Sequence, residues 1–277
     1  MEYSPKKMQI EIEKNNFKFK KKFGQNFICD ENIINNIVTK SLIDKDTLVI
    51  EVGPGAGSLT SKLAAHAKNV LCFEIDEEVK DLLSENTKEF DNIQVVYQDF
   101  LNVDIKKYLK QYEYQKLYLV ANLPYYITTP IIMKIIEDQI NIDKIVIMVQ
   151  KEVGDRFKAQ PKTKEYGSLT VFLNYYFEIK KIMDVSRNVF IPKPNVDSIV
   201  VELNKTTKKY NVKDEKLFFE LIKDAFKQKR KTLKNNLSKY NLEKIEKVLK
   251  QDGFSLTSRA EEIPIETFIN IANEMSD

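Results

Sequence analysis

The segment Val49–Leu59 reads V-I-E-V-G-P-G-A-G-S-L and joins a short β-branched run to three glycines at alternate positions, Gly53, Gly55 and Gly57. The whole chain has only seven glycines among its 277 residues, so this cluster is well above background. Glycine lets a strand turn sharply into a helix and lets backbone N–H groups approach a ligand. The segment therefore predicts a strand, a ligand-binding turn and a helix.

An acidic residue follows the glycine turn at the distance of one strand–helix–strand unit. Glu74 ends the next strand-like run, where a carboxylate holds a ribose in many parallel sheets. The glycine spacing is G-x-G-x-G, which differs from the G-x-G-x-x-G of dinucleotide-binding folds. With Glu51 two residues before Gly53, the segment resembles the first motif of class I methyltransferases. The resemblance implies S-adenosyl-L-methionine as the cofactor.

Strand-like and helix-like patterns alternate over the first two thirds of the chain, as a parallel α/β sheet requires. The strand-like runs are Thr47–Val52, Val70–Ile75, Ile93–Gln98, Leu117–Ala121, Lys144–Val149, Glu178–Val185 and Ser198–Leu203. Only helical patterns follow, including one helix over Lys216–Asn236. We expect an α/β fold of the Rossmann-like class I methyltransferase type, with a seven-stranded, mostly parallel sheet and a small all-helical C-terminal domain. The expected divisions are an arm at 1–17, a catalytic domain at 18–205 and a helical domain at 206–277.

The segment Asn122-Leu123-Pro124-Tyr125 follows the fourth strand-like run and faces the same crevice as the glycine turn. An adenine amino nitrogen is a poor nucleophile because its lone pair is delocalised into the ring. The Asn122 side-chain oxygen and the Leu123 carbonyl can both accept hydrogen bonds from that amino group. Pro124 stiffens the turn, and Tyr125 offers a stacking face for a base. The segment predicts methyl transfer to an adenine amino group, achieved by positioning.

Two further side chains complete the predicted site. Asp99 ends the third strand-like run and is expected to accept a hydrogen bond from the adenine of the cofactor. Phe190 precedes the last strand and is placed on the face of the target base opposite Tyr125. Alternatives stay open for both: Asp99 as a solvent-facing strand end, and Phe190 as ordinary core packing.

Six motifs together resemble the bacterial small-subunit ribosomal RNA adenine dimethyltransferases, the kasugamycin-sensitivity family. They are F-G-Q-N-F at Phe23–Phe27, N-L-P-Y-Y-I-T-T-P-I at Asn122–Ile131, M-V-Q-K-E-V at Met148–Val153, Y-G-S-L at Tyr166–Leu169, F-I-P-K-P-N-V-D-S at Phe190–Ser198 and R-K-T-L-K-N-N-L at Arg230–Leu237. The resemblance implies further cofactor contacts at Gln25, Asn26, Ile28, Ile75 and Phe100. It also implies a substrate: two neighbouring adenosines in the 3′-terminal hairpin loop of 16S ribosomal RNA, within the 30S subunit.

Composition limits the alternatives. No apolar run approaches the length of a membrane span, and the N-terminus lacks the apolar stretch of a signal peptide. The single histidine, His66, and the two cysteines, Cys29 and Cys72, form no metal-ligand spacing, so no metal is expected. We expect a cytoplasmic monomer.

Two basic clusters stand out on a chain whose net charge is only +3. One lies at residues 18–22, directly after the N-terminal arm, and the other in residues 227–234. Separated basic patches indicate a polyanion that is contacted from two sides. The predicted RNA contacts are Lys21, Lys22, Lys229, Arg230, Lys231 and Lys234.

Three other functions remain open. An erythromycin-resistance methyltransferase, acting on an adenine of large-subunit RNA, shares the first motifs but more often has Ile where Leu123 stands and lacks a clear R-K-T-L-x-N-N-L run. A non-catalytic RNA-binding or assembly factor is a second, although Gly53, Glu74, Asp99 and Asn122 are all intact. A nicotinamide-dependent oxidoreductase is the third, and its glycine spacing does not match.

Overall fold

The computed structural model describes residues 10, 19–20, 24–208 and 210–276. Within these residues the strands are β1 Phe27–Ile28, β2 Thr47–Val52, β3 Asn69–Glu74, β4 Ile93–Tyr97, β5 Lys116–Asn122, β6 Lys144–Gln150, β7 Phe177–Val185, β8 Phe190–Ile191 and β9 Ser198–Lys205. The α-helices are α1 Glu31–Ser41, α2 Ser58–His66, α3 Lys80–Thr87, α4 Ile105–Leu109, α5 Thr128–Glu137, α6 Lys151–Phe157, α7 Ser168–Tyr176, α8 Glu215–Ala225, α9 Leu233–Asn236, α10 Leu242–Gln251 and α11 Ile265–Ser276. None of these described helices is long and apolar enough to cross a membrane.

Seven of the described strands form one sheet in the order β4–β3–β2–β5–β6–β9–β7. The five strands from β4 to β6 in this order pair in parallel, and β9 runs antiparallel to β6. The chain builds outward from β2 to β4 and then returns to β5 on the other side of β2. Open α/β sheets bind ligands at such a switch point, beyond the carboxyl ends of the strands. The predicted fold class is confirmed.

Burial explains why the segment Thr47–Val52 forms a central strand of the sheet. Every residue of β2 is buried, as is typical of a parallel strand that is covered on both faces. Its β-branched side chains favour extended backbone, and the glycine turn that follows ends the strand. Each of the seven strands of this sheet differs from its predicted range by no more than about two residues at either end, whereas the short strands β1 and β8 were not predicted.

A separate two-stranded ribbon joins two distant motifs. Strands β1 and β8 pair antiparallel, with Phe27 opposite Ile191 and Ile28 opposite Phe190. The Cys29 N–H donates to the carbonyl of Val189 at 2.8 Å and extends the ribbon. This pairing holds the F-G-Q-N-F segment beside the F-I-P-K-P segment.

The glycine turn has left-handed backbone that only glycine adopts at low cost. Gly57 has φ +84°, and a β-carbon there would lie 2.9 Å from Leu83 Cδ1 and 3.1 Å from Thr87 Cγ2. Gly55 has φ +54°, and a β-carbon there would lie 2.7 Å from the ring of Phe27. The turn therefore needs glycine both for its backbone angles and for close packing.

The chain divides into two compact units. The first contains Met1–Gly154 and Lys180–Asn204, and the second contains Asp155–Ile179 and Lys205–Asp277. The sequence-based division also changes domain near residue 205, but it keeps 155–179 with the sheet, whereas contacts group that segment with the C-terminal helices.

The prediction of one continuous helix over Lys216–Asn236 is wrong. Helix α8 ends at Ala225, and the chain turns before α9 begins at Leu233. The Asn236 amide donates to the carbonyls of Ala225 at 2.7 Å and Gln228 at 3.1 Å. The first bond satisfies a carbonyl at the end of α8, and the second ties the same side chain to the turn that follows, so both stabilise the break.

We expect the replacement of Gly57 by alanine to lower the free energy of unfolding by about 2–4 kcal/mol, because left-handed strain and crowding against Leu83 add. The matched control is Gly53→Ala. Gly53 has φ +71°, and a β-carbon there would meet only Pro124 Cδ, at 4.0 Å. The control should lose only about 1–2 kcal/mol. Urea unfolding without added cofactor measures both losses, and equal values would contradict the crowding argument.

Candidate active site

A cavity of about 220 Å³ lies in the first unit, beyond the carboxyl ends of β2, β3, β4 and β5. Its position is the switch point of the sheet. It is lined by most of the predicted site residues, namely Gln25, Asn26, Ile28, Glu51, Gly53, Gly55, Glu74, Ile75, Asp99, Phe100, Asn122, Leu123, Pro124 and Tyr125. The fold thus brings the predicted cofactor motifs and the N-L-P-Y segment to one place.

Two of the residues predicted to act in catalysis or cofactor binding do not line this cavity. Gly57 is the N-cap residue of helix α2, and its neighbours Ala56 and Ser58 line the cavity instead. Phe190 is 3 % exposed and packs in the hydrophobic core beside β1. Its proposed contact with a base stays a prediction.

Glu74 is the most tightly held charged group of the site. Its side chain is 5 % exposed, and one oxygen accepts the N–H groups of Ile75 and Asp76, both at 2.9 Å. The other oxygen accepts the N–H of Gly55 at 3.1 Å and so ties the glycine turn to the end of β3. Burial raises the pKa of the Glu74 carboxyl, and the three donated hydrogen bonds oppose that rise.

Glu51 is a second buried carboxyl on the cavity wall. Its side chain is 1 % exposed, and the Cys72 thiol donates to it at 3.6 Å. Burial raises the pKa of Glu51 to about 8, with a smaller contribution from the charge of Glu74. Burial thus favours the neutral form of both carboxyls on the cavity wall, and a cation bound beside them would favour their ionised forms.

Asp99 ends the predicted third strand region and stands on the cavity wall. Its carboxylate accepts the Leu101 N–H at 2.9 Å and the Asn102 side-chain amide at 3.0 Å. The side chain therefore caps the short 3-10 turn Phe100–Asn102 that follows β4. This cap holds the carboxylate at the rim, where its predicted contact with a cofactor stays a prediction.

The Asn122 side chain has a fixed orientation. Its Nδ2 donates to the backbone carbonyl of Asn26 at 2.8 Å. A carbonyl oxygen can only accept, so the amide must turn its NH₂ group to Asn26 and its Oδ1 away. Among the described residues no donor contacts Asn122 Oδ1 or the carbonyl of Leu123. Two acceptors are thus available side by side at the cavity.

The turn after Asn122 is closed by its own backbone. The Ile127 N–H donates to the Pro124 carbonyl at 3.1 Å, and α5 begins at Thr128. Pro124 cannot donate, and its ring restricts the backbone. Tyr125 and the 58 % exposed Tyr126 project from this turn, and both line the cavity.

A polar clamp beside the cavity was not predicted from the sequence. Asp76 accepts Gln25 Nε2 at 2.7 Å and Lys20 Nζ at 2.6 Å, and its own side chain is almost fully buried. The Lys20 N–H also donates to Gln25 Oε1 at 2.8 Å. The clamp joins the segment before β1 to the end of β3. The only feature of the sequence that indicates it is an acidic residue, Asp76, two positions after Glu74.

The predicted RNA contacts fall in two places. Lys21 and Lys22 lie outside the described residues. In the second unit, Lys229, Arg230, Lys231 and Lys234 are exposed in and after the turn between α8 and α9. We call residues 227–234 the basic turn. It carries five positive side chains and no acidic one, and Lys229 Nζ contacts the carbonyl of Lys164.

Comparison with protein families shows to which family the chain belongs. A family model described as ribosomal RNA adenine dimethylase matches residues 16–277. The chain belongs to this family. The resemblance drawn from the motifs is confirmed, and so is the predicted enzyme class.

Individual relatives agree with the family. The chain is 42 % identical to ribosomal RNA small subunit methyltransferase A of Oceanobacillus iheyensis, over 98 % of this chain and 95 % of that protein. It is 44 % identical to the Staphylococcus aureus protein of the same name, over 98 % and 94 %. These relatives therefore match along nearly their whole length.

Solved structures show the same fold. A dimethyladenosine transferase from Plasmodium falciparum superposes with a TM-score of 0.72 at 23 % identity, covering 88 % of this chain and 95 % of that one. The 23S rRNA methyltransferase ErmE superposes with a TM-score of 0.70 at 25 % identity, covering 91 % and 100 %. The Rossmann-like class I fold with a helical C-terminal part is thereby confirmed.

Enzymes of the ribosomal RNA adenine dimethylase family use S-adenosyl-L-methionine, and this cavity fits that molecule. Its ribose hydroxyls suit the buried Glu74 carboxylate at the end of β3. Its ammonium and sulfonium charges would favour the ionised forms of the two buried carboxyls, Glu51 and Glu74, whose pKa values burial raises. Gly53 has no side chain, so the ligand can approach its backbone closely. A β-carbon at this position would meet only Pro124 Cδ within 4 Å, so the space beside it is open.

We expect stability to depend on pH through Glu51. Between its ordinary pKa of 4.5 and the raised value of about 8, the folded chain keeps a proton that the unfolded chain has lost. The free energy of unfolding therefore falls as pH rises through this window, by at most about 1.4 kcal/mol per pH unit. In Glu51→Gln the fall should be smaller.

Urea unfolding from pH 5 to 8 measures this slope, with Glu77→Gln as the control because Glu77 is an exposed carboxylate of the same unit. Glu74, whose pKa burial also raises, leaves a residual slope of the same sign. An unchanged slope in Glu51→Gln would contradict the assignment.

Proposed function

We propose that this enzyme dimethylates two adjacent adenosines in the 3′-terminal hairpin loop of 16S ribosomal RNA. We propose further that it acts as a cytoplasmic monomer on the 30S subunit or its precursor. The observation that carries the proposal is the fixed Asn122 amide, whose Oδ1 and the neighbouring Leu123 carbonyl form an acceptor pair at the glycine-lined cavity.

The acceptor pair matches the chemistry of an adenine amino group. Two acceptors that receive its two N–H groups would hold the nitrogen and draw its hydrogens out of the plane of the ring. The lone pair would then no longer be conjugated with the ring. The nitrogen lone pair would then point towards the cavity. Asn26 serves this step because its carbonyl prevents the Asn122 amide from rotating. This is catalysis by orientation, which alone can supply several kcal/mol of the barrier.

When bound, S-adenosyl-L-methionine supplies a methyl group that its sulfonium has already activated. The residues of this chain then need only to hold the cofactor, orient the target adenine and exclude water from both. Glu74 would hold the ribose, Asp99 the adenine of the cofactor, and the glycine turn would allow close approach. No strong base is required at Asn122.

Dimethylation imposes a second requirement. After one transfer the amino group has a single N–H left for the two acceptors, so the base loses one hydrogen bond. Stacking on Tyr125, with Phe190 on the opposite face, would hold the base through this stage. Phe190 is 3 % exposed and packs in the core, so stacking on the base requires its ring to become exposed.

The basic turn supports binding of the RNA. Asn236 holds this turn through bonds to Ala225 and Gln228, so its charges are presented on ordered backbone. Phosphate contacts of this kind give affinity without reading sequence. We propose that the helical region after residue 205 docks the ribosomal RNA while the sheet domain carries the chemistry.

The relatives favour the small subunit as the partner. Proteins named ribosomal RNA small subunit methyltransferase A match at 42–44 % identity over 98 % of this chain. The alternatives of large-subunit methylation and of a non-catalytic assembly factor are outcomes of the test that follows.

We expect the enzyme to transfer labelled methyl groups from S-adenosylmethionine to undermethylated 30S subunits and to yield dimethyladenosine. Asn122→Ala should lower the yield about 100-fold or more, since one member of the acceptor pair is lost. Nucleoside digestion and mass analysis measure the product. Asn122→Asp keeps an acceptor oxygen but replaces the NH₂ group with a second oxygen, so it cannot donate to the Asn26 carbonyl and should also lose activity.

Each result has a distinct meaning. Transfer to 50S subunits instead would favour an enzyme of the erythromycin-resistance type. Tight binding of 30S subunits without transfer would indicate an assembly factor. Full activity of Asn122→Asp would contradict the role of the Asn26 contact while leaving the reaction itself in place.

We expect charge reversal at Lys229, Arg230 and Lys231 to weaken binding to 30S subunits. The slope of log affinity against log salt should flatten by about 0.7–0.9 for each phosphate that the variant no longer neutralises. The control reverses three exposed lysines of the same unit outside the basic turn, Lys216, Lys247 and Lys250. Both variants have the same net charge, so equal effects would reject a specific role of the basic turn.

A further inference from the structure

The Tyr125 hydroxyl has a partner that none of the predicted roles includes. It lies 2.8 Å from Oγ of Ser198, 73 positions further along the chain. Ser198 is 0 % exposed, whereas Tyr125 is half-buried and lines the cavity. The bond therefore runs from the interior of the sheet to a side chain that faces the site.

Ser198 stands at a fixed point of the sheet. It is the first residue of β9 and lies opposite Gln150, the last residue of β6. Immediately before it, the Asp197 carbonyl accepts the Lys151 N–H at 3.1 Å, and the Asp197 carboxylate accepts the Arg187 N–H at 2.9 Å. Backbone pairing thus fixes the Ser198 main chain, and complete burial restricts its side chain.

Tyr125 is consequently held at both ends. Its backbone belongs to the turn that Pro124 and Ile127 close, and its hydroxyl is bonded to the sheet. The neighbouring Tyr126 makes a useful comparison, because no hydrogen bond to its hydroxyl is found among the described residues and it is 58 % exposed. A ring fixed at two points loses less rotamer entropy when a base stacks on it.

We propose that Ser198 is a positioning residue that holds the Tyr125 ring in its stacking orientation and thereby supports the second methyl transfer more than the first. This inference rests on the proposed function, because it needs a base stacked on Tyr125. The unmethylated base has two N–H bonds for the acceptor pair and is oriented by both. The monomethylated base has one, so its orientation depends more strongly on the ring.

The test is a double-mutant cycle with Ser198→Ala, Tyr125→Phe and the double variant. Either single change removes the same hydrogen bond, and Tyr125→Phe keeps the ring and leaves the buried Ser198 backbone alone. The assay measures monomethyl and dimethyladenosine over time, with kcat and KM for the RNA. The control is Tyr112→Phe, which removes a tyrosine hydroxyl bonded to Gln94 in the same unit, away from the cavity.

Each single variant should slow the second transfer about 2- to 10-fold relative to the first, as expected for one hydrogen bond, and monomethyladenosine should accumulate. KM for the RNA should change little, and the double variant should be no slower than the slower single variant. Tyr112→Phe should keep the wild-type product ratio.

Two results would overturn the inference. An additive loss in the double variant would mean that Ser198 acts on the fold and not through the Tyr125 hydroxyl. A wild-type product ratio in both single variants would mean that the bond does not matter for the second transfer. Failure of the proposed function looks different: the wild type itself would then not methylate 30S subunits, and the cycle would be measured on the adenine substrate that it does methylate.

Discussion

The site depends above all on how the buried Glu74 carboxylate is satisfied. A carboxylate with 5 % exposure is costly unless it accepts hydrogen bonds, and here backbone N–H groups from two segments supply them. One donor belongs to Gly55, so the same contact fixes the glycine turn against the end of β3. The geometry of the cavity floor follows from this contact, since the turn and the strand end are its two sides.

The acceptor pair depends on a second long-range contact. Asn122 is oriented by the Asn26 carbonyl, 96 positions earlier in the chain. The segment that carries Asn26 is held in turn by the β1–β8 ribbon and by the Asp76 clamp on Gln25. The N-terminal motif thus acts on the chemistry by constraining an amide that belongs to a different motif.

Much of this could be predicted from sequence because the signals are local. The β-branched runs predicted the seven strands of the sheet with small errors in the boundaries. The three glycines, the carboxylate one strand later and the N-L-P-Y segment predicted part of the cavity lining, and the family resemblance supplied the rest. The helix over Lys216–Asn236 failed because its helix-forming side chains hide a break that Asn236 stabilises through tertiary hydrogen bonds. Helix α1 was missed although Asp30 caps it by accepting from Asn32 and Ile33.

The sequence by itself determined the fold class, the cofactor motif and the family, because strand patterns, glycine spacing and N-L-P-Y are properties of neighbouring residues. Only the tertiary structure decided which way the Asn122 amide faces, that Phe190 lies in the core, and that Ser198 bonds to Tyr125. The physical reason is sequence separation. Contacts between residues tens of positions apart arise from sheet topology and packing, and no local pattern in the chain records them.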